Sequence, residues 1–228
     1  MSDFQEGEIL LFNKPKHWTS FDIVKKVRSL LFHKLGLKKL KVGHAGTLDP
    51  LATGLLILCT GKKTKAIESI QSAKKEYSGI IILGGTTPSY DLETAVENIT
   101  PYHHLEIDQI KATAKCFIGA IDQYPPIYSA IKVDGQRAYK AARKGQEIDI
   151  KSKIVQIEEF EIVKFDLPEV HFRVICSKGT YIRSLAHDFG RHLKVGGYLK
   201  ELKRNSIGEY QLEKAMEIEE FERKLESL

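Results

Sequence analysis

The chain has 228 residues, of which 42% are hydrophobic and 29% are charged. This balance predicts a folded globular protein with a substantial core and excludes disordered and fibrous classes. Apolar stretches such as LLILC are far shorter than the roughly 18–20 residues that a membrane-spanning helix needs. The amino terminus, MSDFQEGEILLF, opens with acidic residues and lacks the pattern of a signal peptide, so we predict a cytoplasmic protein without a membrane partner.

The three cysteines, Cys59, Cys116 and Cys176, are widely separated and form no CxxC pair. None of the eight histidines lies at metal-ligand spacing from a cysteine. A disulfide framework and a zinc site are therefore not expected. We interpret the cysteines as small buried side chains in a reducing compartment.

Charge is distributed unevenly along the chain, whose formal net charge is +5. Residues 9–48 contain nine lysines and arginines but one acid, Asp22, whereas residues 209–228 contain seven glutamates and three basic residues. Such a one-sided positive field suits a polyanionic partner, but a solvated lysine-rich surface explains the composition equally well. Charge alone does not decide between them.

The predicted elements of the amino-terminal half begin with a buried strand over residues 7–13. Thr19 or Ser20 can cap a following helix that ends at Gly36. The apolar positions predicted for its buried face are Phe21, Val24, Val27, Leu30 and Leu31. A loop over 38–54, a strand over 55–59, a helix over 66–71 and a strand over 77–83 complete this half.

The second half alternates helices and strands irregularly. Helical spacing predicts elements over residues 107–117, 138–143 and 181–193, and an acidic helix over about 211–228. Two strands, over 154–165 and 170–177, look like a hairpin. The order favours an α+β fold with a mostly antiparallel sheet, in a single domain over residues 1–228.

The GHAGTLDPLATG loop places Asp49 between a Gly/Thr turn and Pro50. Because the proline restricts the residue before it, the carboxylate is held in one orientation just before a buried strand. Such an acid either caps its own turn or does chemistry. His44 five residues earlier adds weight to the second interpretation.

Two further side chains are candidates for partners of that acid. Arg183 lies in the first turns of a predicted helix, where the helix dipole disfavours a cation, so it either pairs with a buried acid or lies at the surface. Tyr77 opens an apolar strand beside Lys74 and Lys75, and it either stacks on a nucleobase while the lysines hold phosphate or belongs to the core.

The segment GKKT at residues 61–64 resembles the end of a P-loop, but position 56, where the first glycine is required, is Leu56. A nucleotide-dependent enzyme is therefore not expected. The lysines of this segment are better suited to RNA phosphate or to plain surface.

Six stretches, in this order, resemble the TruB-type tRNA pseudouridine synthases. They are LLFNKPKHWTS, KVGHAGTLDPLATGLLILCTGKKTK, KKEYSGIIILG, YPPIYSAIKVDGQRAYKAARKGQE, CSKGTYIRSLAHDFG and YLKELKRNSIGEY. Together they span nearly the whole chain, from about residue 8 to residue 210. The combination of GHAGTLDPLATG with CSKGTYIRSL is highly specific, whereas either one alone is moderately so.

The resemblance implies the pseudouridine synthase fold and the conversion of uridine 55 in the T loop of tRNA to pseudouridine. The reaction detaches the uracil from the ribose at nitrogen 1, turns it and rejoins it through carbon 5, so it implies no cofactor and no metal. The family's catalytic aspartate corresponds to Asp49 and its active-site tyrosine to Tyr77. The basic residue that pairs with the aspartate corresponds to Arg183.

The resemblance also implies substrate contacts. Leu202 corresponds to an apolar residue that lines the uracil pocket, His44 to a histidine that helps to hold the T loop open, and Asp91 to an acid in a TxTxD-like segment from whose pattern its neighbours depart. Four more substrate contacts are predicted, at Lys14, Gly46, Thr47 and Tyr181. Contacts to the RNA backbone are predicted at Lys38, Lys39, Lys41, Lys62, Lys63, Lys65, Lys132, Arg137 and Arg143.

The predicted partner is the T stem-loop of tRNA, bound by a monomer. Members of this family commonly carry a carboxy-terminal PUA domain, for which the roughly 18 residues after Tyr210 leave no room. We therefore expect the basic segment 14–41 to contribute to RNA binding. A non-catalytic tRNA-binding protein on the same scaffold is the alternative, but such a protein could lose Asp49, Tyr77 or Arg183, and all three are present.

Overall fold

The computed structural model describes residues 3–129, 131–133, 136–138 and 149–227. The chain forms two compact units, one made of Met1–Tyr77 with Lys203–Leu228 and the other of Ser78–Leu202. The first unit is called the Asp49 unit here because it contains Asp49, and the second the arginine unit because it contains Arg183. No helix within the described ranges is long and apolar enough to cross a membrane.

The Asp49 unit is built on a mixed sheet. Its elements are β1 (Ile9–Lys14), α1 (Ser20–Leu35), β2 (Val42–His44), β3 (Thr53–Thr60), a 3₁₀ helix (Gly61–Ala66), α2 (Ile67–Ser72), residues 75–77 of β4 (Lys75–Leu83), residues 203–207 of β10 (Gly197–Ile207), β11 (Tyr210–Gln211), a 3₁₀ turn (Leu212–Lys214) and the last helix (Ile218–Glu226). β3 pairs antiparallel with β1 and β2 and parallel with β10.

Strand β3 is buried on both faces, which explains its continuous apolar sequence. Leu56 and Leu58 pack into a cluster with α1 and the last helix. Leu55, Ile57 and Cys59 point the other way, into a cluster with α2. Because side chains alternate along a strand, one run of five residues fills two cores and anchors the loop that precedes it.

Helix α1 begins at a Thr19 cap, whose hydroxyl accepts from the Asp22 amide while the Asp22 carboxylate accepts from the Thr19 amide. Gly36, in the left-handed region at φ 66°, ends it as predicted. One predicted core position is wrong. Phe21 is 52% exposed and Ile23 is buried instead. The buried face of α1 begins at Ser20 and Ile23, and Phe21 lies outside it.

The acidic carboxy-terminal segment forms a helix that packs on α1. Its apolar residues Ile218, Phe221 and Leu225 are buried in the α1 cluster. Glu222 and Glu226 lie 3.1 and 2.9 Å from the ammonium groups of two α1 lysines, Lys26 and Lys34. The segment therefore completes the core and neutralises part of the basic face of α1.

The arginine unit combines helices with an antiparallel sheet. Its elements are residues 78–83 of β4, α3 (Ile107–Cys116), β5 (Gly119–Gln123), the short pair β6 (Lys132–Val133) and β7 (Gln136–Arg137), β8 (Lys153–Asp166), β9 (Glu169–Cys176), α4 (Ile182–His192) and residues 197–202 of β10. β8 pairs antiparallel with β9 and β5. Phe160, Phe172 and Phe189 pack their rings edge-to-face in its core.

The α+β class with a mostly antiparallel, mixed sheet is confirmed. Strand β10 was missed, because its charged residues hide the alternation that marks a strand. Cys116 is exposed, unlike the buried Cys59 and Cys176, so that interpretation was wrong for one of the three cysteines. The helix predicted over residues 138–143 falls, except for Ala138, outside the described residues.

Candidate active site

Asp49 lies half-buried in the irregular loop between β2 and β3. The main chain of this loop is fixed on both sides of the acid. The Pro50 carbonyl accepts from the His17 amide at 2.7 Å, and the Asp49 carbonyl accepts from the Ala52 amide at 3.1 Å. The predicted orientation of Asp49 by its neighbours thus has a physical basis in main-chain hydrogen bonds as well as in proline.

Two residues that the sequence did not single out also hold the loop. The buried Ser20 hydroxyl accepts from the Leu48 amide at 2.8 Å and donates to the Leu48 carbonyl at 3.2 Å. The buried Arg204 guanidinium donates to the carbonyls of Gly46 at 3.0 Å, Thr47 at 3.5 Å and Leu55 at 2.8 Å. Among the described residues, all hydrogen bonds of this guanidinium go to main-chain carbonyls.

Gly54 explains how Arg204 comes so close to the loop. Its backbone lies in β3 between Lys14 of β1 and Arg204 of β10. Its φ of 98° is in the region that favours glycine, and a Cβ here would lie 2.4 Å from the Arg204 carbonyl oxygen. The glycine thus allows two strands that carry buried cations to flank β3 at its first residues.

Lys14 is fully buried. Its ammonium donates to the carbonyls of Trp18 at 2.6 Å, Pro15 at 2.9 Å and Pro50 at 3.4 Å. Burial lowers the pKa of Lys14 to about 8, although the nearby Asp49 carboxylate works in the opposite direction and Arg204 adds to the lowering. A lysine predicted to touch substrate therefore donates to two carbonyls of its own segment and to one carbonyl of the loop that carries Asp49.

His44 ends β2 and is half-buried. Burial lowers its pKa below the ordinary value, and the Arg204 charge lowers it further. The imidazole is therefore neutral at physiological pH, which suits contact with bases rather than with phosphate.

Tyr77 lies in β4 and is 8% exposed. One of the two interpretations of its sequence is that Tyr77 stacks on a base while Lys74 and Lys75 hold phosphate. Lys75 is buried, and its ammonium donates to the main-chain carbonyls of Gln71 and Ala73. That interpretation is wrong for Lys75, because its ammonium binds the carbonyl groups at the carboxy-terminal end of α2.

Arg183 is the second residue of α4 and is 4% exposed. Its guanidinium Nε lies 3.7 Å from Oδ2 of the buried Asp91, and its terminal nitrogens donate to the carbonyls of Ser89 and Tyr128 at 3.1 Å. The alternative of a surface arginine is excluded. Arg183 therefore pairs with a buried acid, Asp91, as predicted from its unfavourable position at the start of a helix.

The remaining predicted contacts of the arginine unit are placed by main-chain interactions. The Tyr181 amide donates to Gln123 Oε1 at 2.8 Å, and the Gln123 side-chain amide donates back to the Tyr181 carbonyl at 3.1 Å. Leu202 is half-buried in β10. Asp91 Oδ1 accepts from the Glu93 amide at 3.0 Å, which fixes its carboxylate.

The geometry and the sequence motifs agree with comparisons to known proteins. The model of the TruB family pseudouridylate synthases (N terminal domain) matches residues 33–182. A protein of Flavobacterium johnsoniae named tRNA pseudouridine synthase B is 53% identical over 225 residues, 98% of either chain. Its namesake in Parabacteroides distasonis is 52% identical over 98% of this chain and 95% of that protein. The chain belongs to the TruB family of pseudouridylate synthases.

Solved structures support the same membership at the level of fold. A chain of a Cbf5-Nop10-Gar1 complex is 28% identical to this synthase with a TM-score of 0.72 over 96% of it. A chain of an H/ACA RNP bound to a substrate RNA containing 2'-deoxyuridine is 25% identical, with a TM-score of 0.70. The synthase spans 54% and 56% of the length of those chains. Membership makes it an isomerase that forms pseudouridine.

The lysines that the synthase was predicted to present to RNA phosphate are exposed at six positions. They are Lys38, Lys39, Lys41, Lys62, Lys63 and Lys65. Lys62 lies 2.8 Å from the exposed carboxylate of Glu6, a pair that solvent weakens. Lys132 and Arg137 have described backbones in β6 and β7, but their side chains, and all of Arg143, lie outside the described residues.

The buried Lys14 makes the stability of the synthase depend on pH. Its pKa of about 8 lies below the usual 10.5 of an unfolded chain. Between those values the unfolded chain binds more protons, so the free energy of unfolding rises with pH. Relative to Lys14→Met, wild type is expected to gain roughly 2 kcal/mol between about pH 7.5 and about pH 9.5. Urea unfolding at both pH values measures this gain.

Lys16→Met is the control for that measurement, because it removes one exposed ammonium from the same segment. A wild-type gain no larger relative to Lys14→Met than relative to Lys16→Met would contradict the lowered pKa of Lys14.

Proposed function

We propose that this synthase converts uridine 55 in the T loop of tRNA to pseudouridine in the cytoplasm, with Asp49 as the catalytic carboxylate. The observation that carries the proposal is the fixed geometry of the Asp49 loop, whose main chain is hydrogen-bonded before the acid by Ser20 and after it by Lys14 and the His17 amide. The 53% identical relative named tRNA pseudouridine synthase B supports tRNA as the substrate.

The chemistry needs one carboxylate and no external reagent. Asp49 either forms a covalent bond to the substrate, which breaks again before the product leaves, or removes the ribose 2′ proton and later returns it. In both routes the bond from ribose C1′ to nitrogen 1 breaks, the uracil turns, a bond from C1′ to carbon 5 forms, and the proton on carbon 5 is lost while nitrogen 1 gains one. Either role needs an ionised carboxylate.

The substrate uridine is stacked inside a folded tRNA, so it must be turned out before the reaction. This costs a few kcal/mol. Tyr77 offsets that cost by stacking on the uracil, and Arg183 is the third catalytic residue. Substrate contacts are made by His44, Gly46, Thr47, Asp91, Tyr181 and Leu202. Because Lys14 is buried, its contribution to substrate binding is made through the Pro50 carbonyl and the loop.

The charged surface holds the T stem-loop by its phosphates. The residues proposed for this are Lys38, Lys39, Lys41, Lys62, Lys63, Lys65, Lys132, Arg137 and Arg143. Exposed lysines give such binding a strong dependence on salt. We propose that residues 1–228 act as one catalytic domain and that the protein works as a monomer.

The proposal is tested with a T stem-loop RNA that carries tritium on carbon 5 of uridine 55. Wild-type protein is expected to release one tritium per RNA, since carbon 5 loses its proton when it joins the ribose. The matched control carries the label on a different uridine of the same stem-loop and is expected to release none. Binding without release would instead establish a non-catalytic RNA-binding protein, and release from the other uridine would refute the choice of position 55.

A further inference from the structure

The Asp49 loop is held by side chains rather than by a sheet ladder. Residues 46–50 lie outside β2 and β3. A loop without ladder hydrogen bonds keeps its shape only where other groups satisfy its amides and carbonyls. The side chains that do so before Asp49 come from two distant parts of the chain, α1 and β10.

Ser20 satisfies both main-chain groups of Leu48, the residue directly before Asp49. Its hydroxyl lies 2.8 Å from the Leu48 nitrogen and 3.2 Å from the Leu48 oxygen, and the serine is 2% exposed. One hydroxyl that accepts and donates to the same residue fixes the rotation of that residue's peptide groups. The direction in which the chain enters Asp49 is thereby set by the first residue of α1.

Arg204 binds the two residues that precede Leu48 in the same loop. Its guanidinium reaches the Gly46 and Thr47 carbonyls from one end and the Leu55 carbonyl from the other, and the side chain is 1% exposed. A planar guanidinium presents its donors in a fixed fork, so it ties the start of the loop rigidly to the start of β3. A buried cation is costly unless its donors are used, and here they serve the loop.

We propose that Ser20 and Arg204 are positioning residues that hold Asp49 in its reactive orientation. The inference rests on the catalytic role proposed for Asp49 and assigns no substrate contact to either side chain. Catalysis is sensitive to displacements of about 1 Å, which cost on the order of 100-fold in rate. Loosening the loop is therefore expected to lower kcat while RNA affinity stays the same.

The test compares Ser20→Ala and Arg204→Lys with wild type in single-turnover pseudouridine formation on the T stem-loop RNA. Each is expected to lower the rate at saturating enzyme by about 10- to 100-fold, with the Kd for RNA within about two-fold of wild type. Lysine keeps the charge of Arg204 but not the planar fork, which guards against an unfolded protein. Rates are normalised to the folded fraction measured by circular dichroism.

Thr60→Val is the matched control. Thr60 is fully buried at the opposite end of β3 from the Asp49 loop, and its hydroxyl accepts from the Glu8 amide at 2.9 Å. It is expected to lower the melting temperature as Ser20→Ala does and to leave the rate unchanged. Equal rate losses in Thr60→Val and Ser20→Ala would overturn the inference, as would a wild-type rate in both Ser20→Ala and Arg204→Lys or a loss of RNA affinity with unchanged rate.

Failure of this inference is distinguishable from failure of the proposed function. If Asp49→Asn is inactive and both positioning variants react at the wild-type rate, the catalytic assignment stands and the positioning roles are wrong. If Asp49→Asn is fully active, the catalytic role of Asp49 is refuted, and the positioning roles of Ser20 and Arg204 are refuted as well.

Discussion

Asp49→Asn is expected to lower kcat for pseudouridine formation by at least about 10³-fold, because an amide can act neither as a nucleophile nor as a general base. Asparagine has nearly the shape of aspartate, and the hydrogen bonds of the loop to Ser20, His17 and Ala52 are made by main-chain groups of the loop rather than by the carboxylate. The variant should therefore fold and bind the T stem-loop. Single-turnover rates, filter binding and thermal unfolding measure the three quantities separately.

Asp3→Asn is the matched control for this substitution. The Asp3 carboxylate accepts from the amides of Gln5 and Glu6, both at 3.0 Å, so it caps its own turn in the same unit. The same role was the alternative interpretation of Asp49. If Asp49 were only a cap, the two substitutions would have similar small effects on stability and none on kcat, and the proposed mechanism would be wrong.

Arg183→Met is expected to lower the free energy of unfolding by about 3–5 kcal/mol, the usual cost of removing one partner from a buried ion pair. The cost arises because the buried Asp91 loses the charge 3.7 Å from it, and because the Ser89 and Tyr128 carbonyls lose their donors. Urea unfolding of the full chain measures the loss. Activity assays on the folded fraction test the catalytic role proposed for Arg183 separately.

Arg191→Met on the same helix provides the comparison. Arg191 lies 3.0 Å from Asp188 but is 75% exposed, so its pair is expected to contribute less than about 1 kcal/mol. The double variant Arg183→Met with Asp91→Asn should lose less than the sum of its single changes, because each single change removes one partner of the buried pair whereas the double change removes both charges. An Arg183→Met loss as small as that of Arg191→Met would show that the buried pair does not stabilise the protein.

The motifs predicted the chemistry of this chain better than the periodicities predicted its elements. A motif such as GHAGTLDPLATG specifies residues by their identity, and it lies within the residues that the family model matches. Periodicity identified α1 and its Gly36 end, yet placed Phe21 instead of Ile23 in the core. The other four predicted positions are buried, so the error is confined to the first turn, where local sequence offers two large apolar side chains and does not say which one meets the core.

Strand β10 shows where such prediction fails. The sequence GYLKELKRNSI contains charged residues throughout, and Arg204, its largest buried side chain, counts as polar in any alternation pattern. Only the folded sheet shows that three main-chain carbonyls of another segment accept hydrogen bonds from the guanidinium, which offsets the free-energy cost of burying its charge. A buried cation with main-chain partners leaves no hydrophobic signal.

The enzyme family was evident from residue identity, and the same motifs supply Asp49, Tyr77 and Arg183 as the proposed catalytic residues, because the reaction requires particular functional groups in a particular local order. The use of Lys14, Ser20 and Arg204 was not. Those three residues are separated from their partners by up to 158 positions, and hydrogen bonds across such separations exist only once the strands have paired. The sequence thus predicts which carboxylate reacts, while packing of distant segments determines how that carboxylate is held.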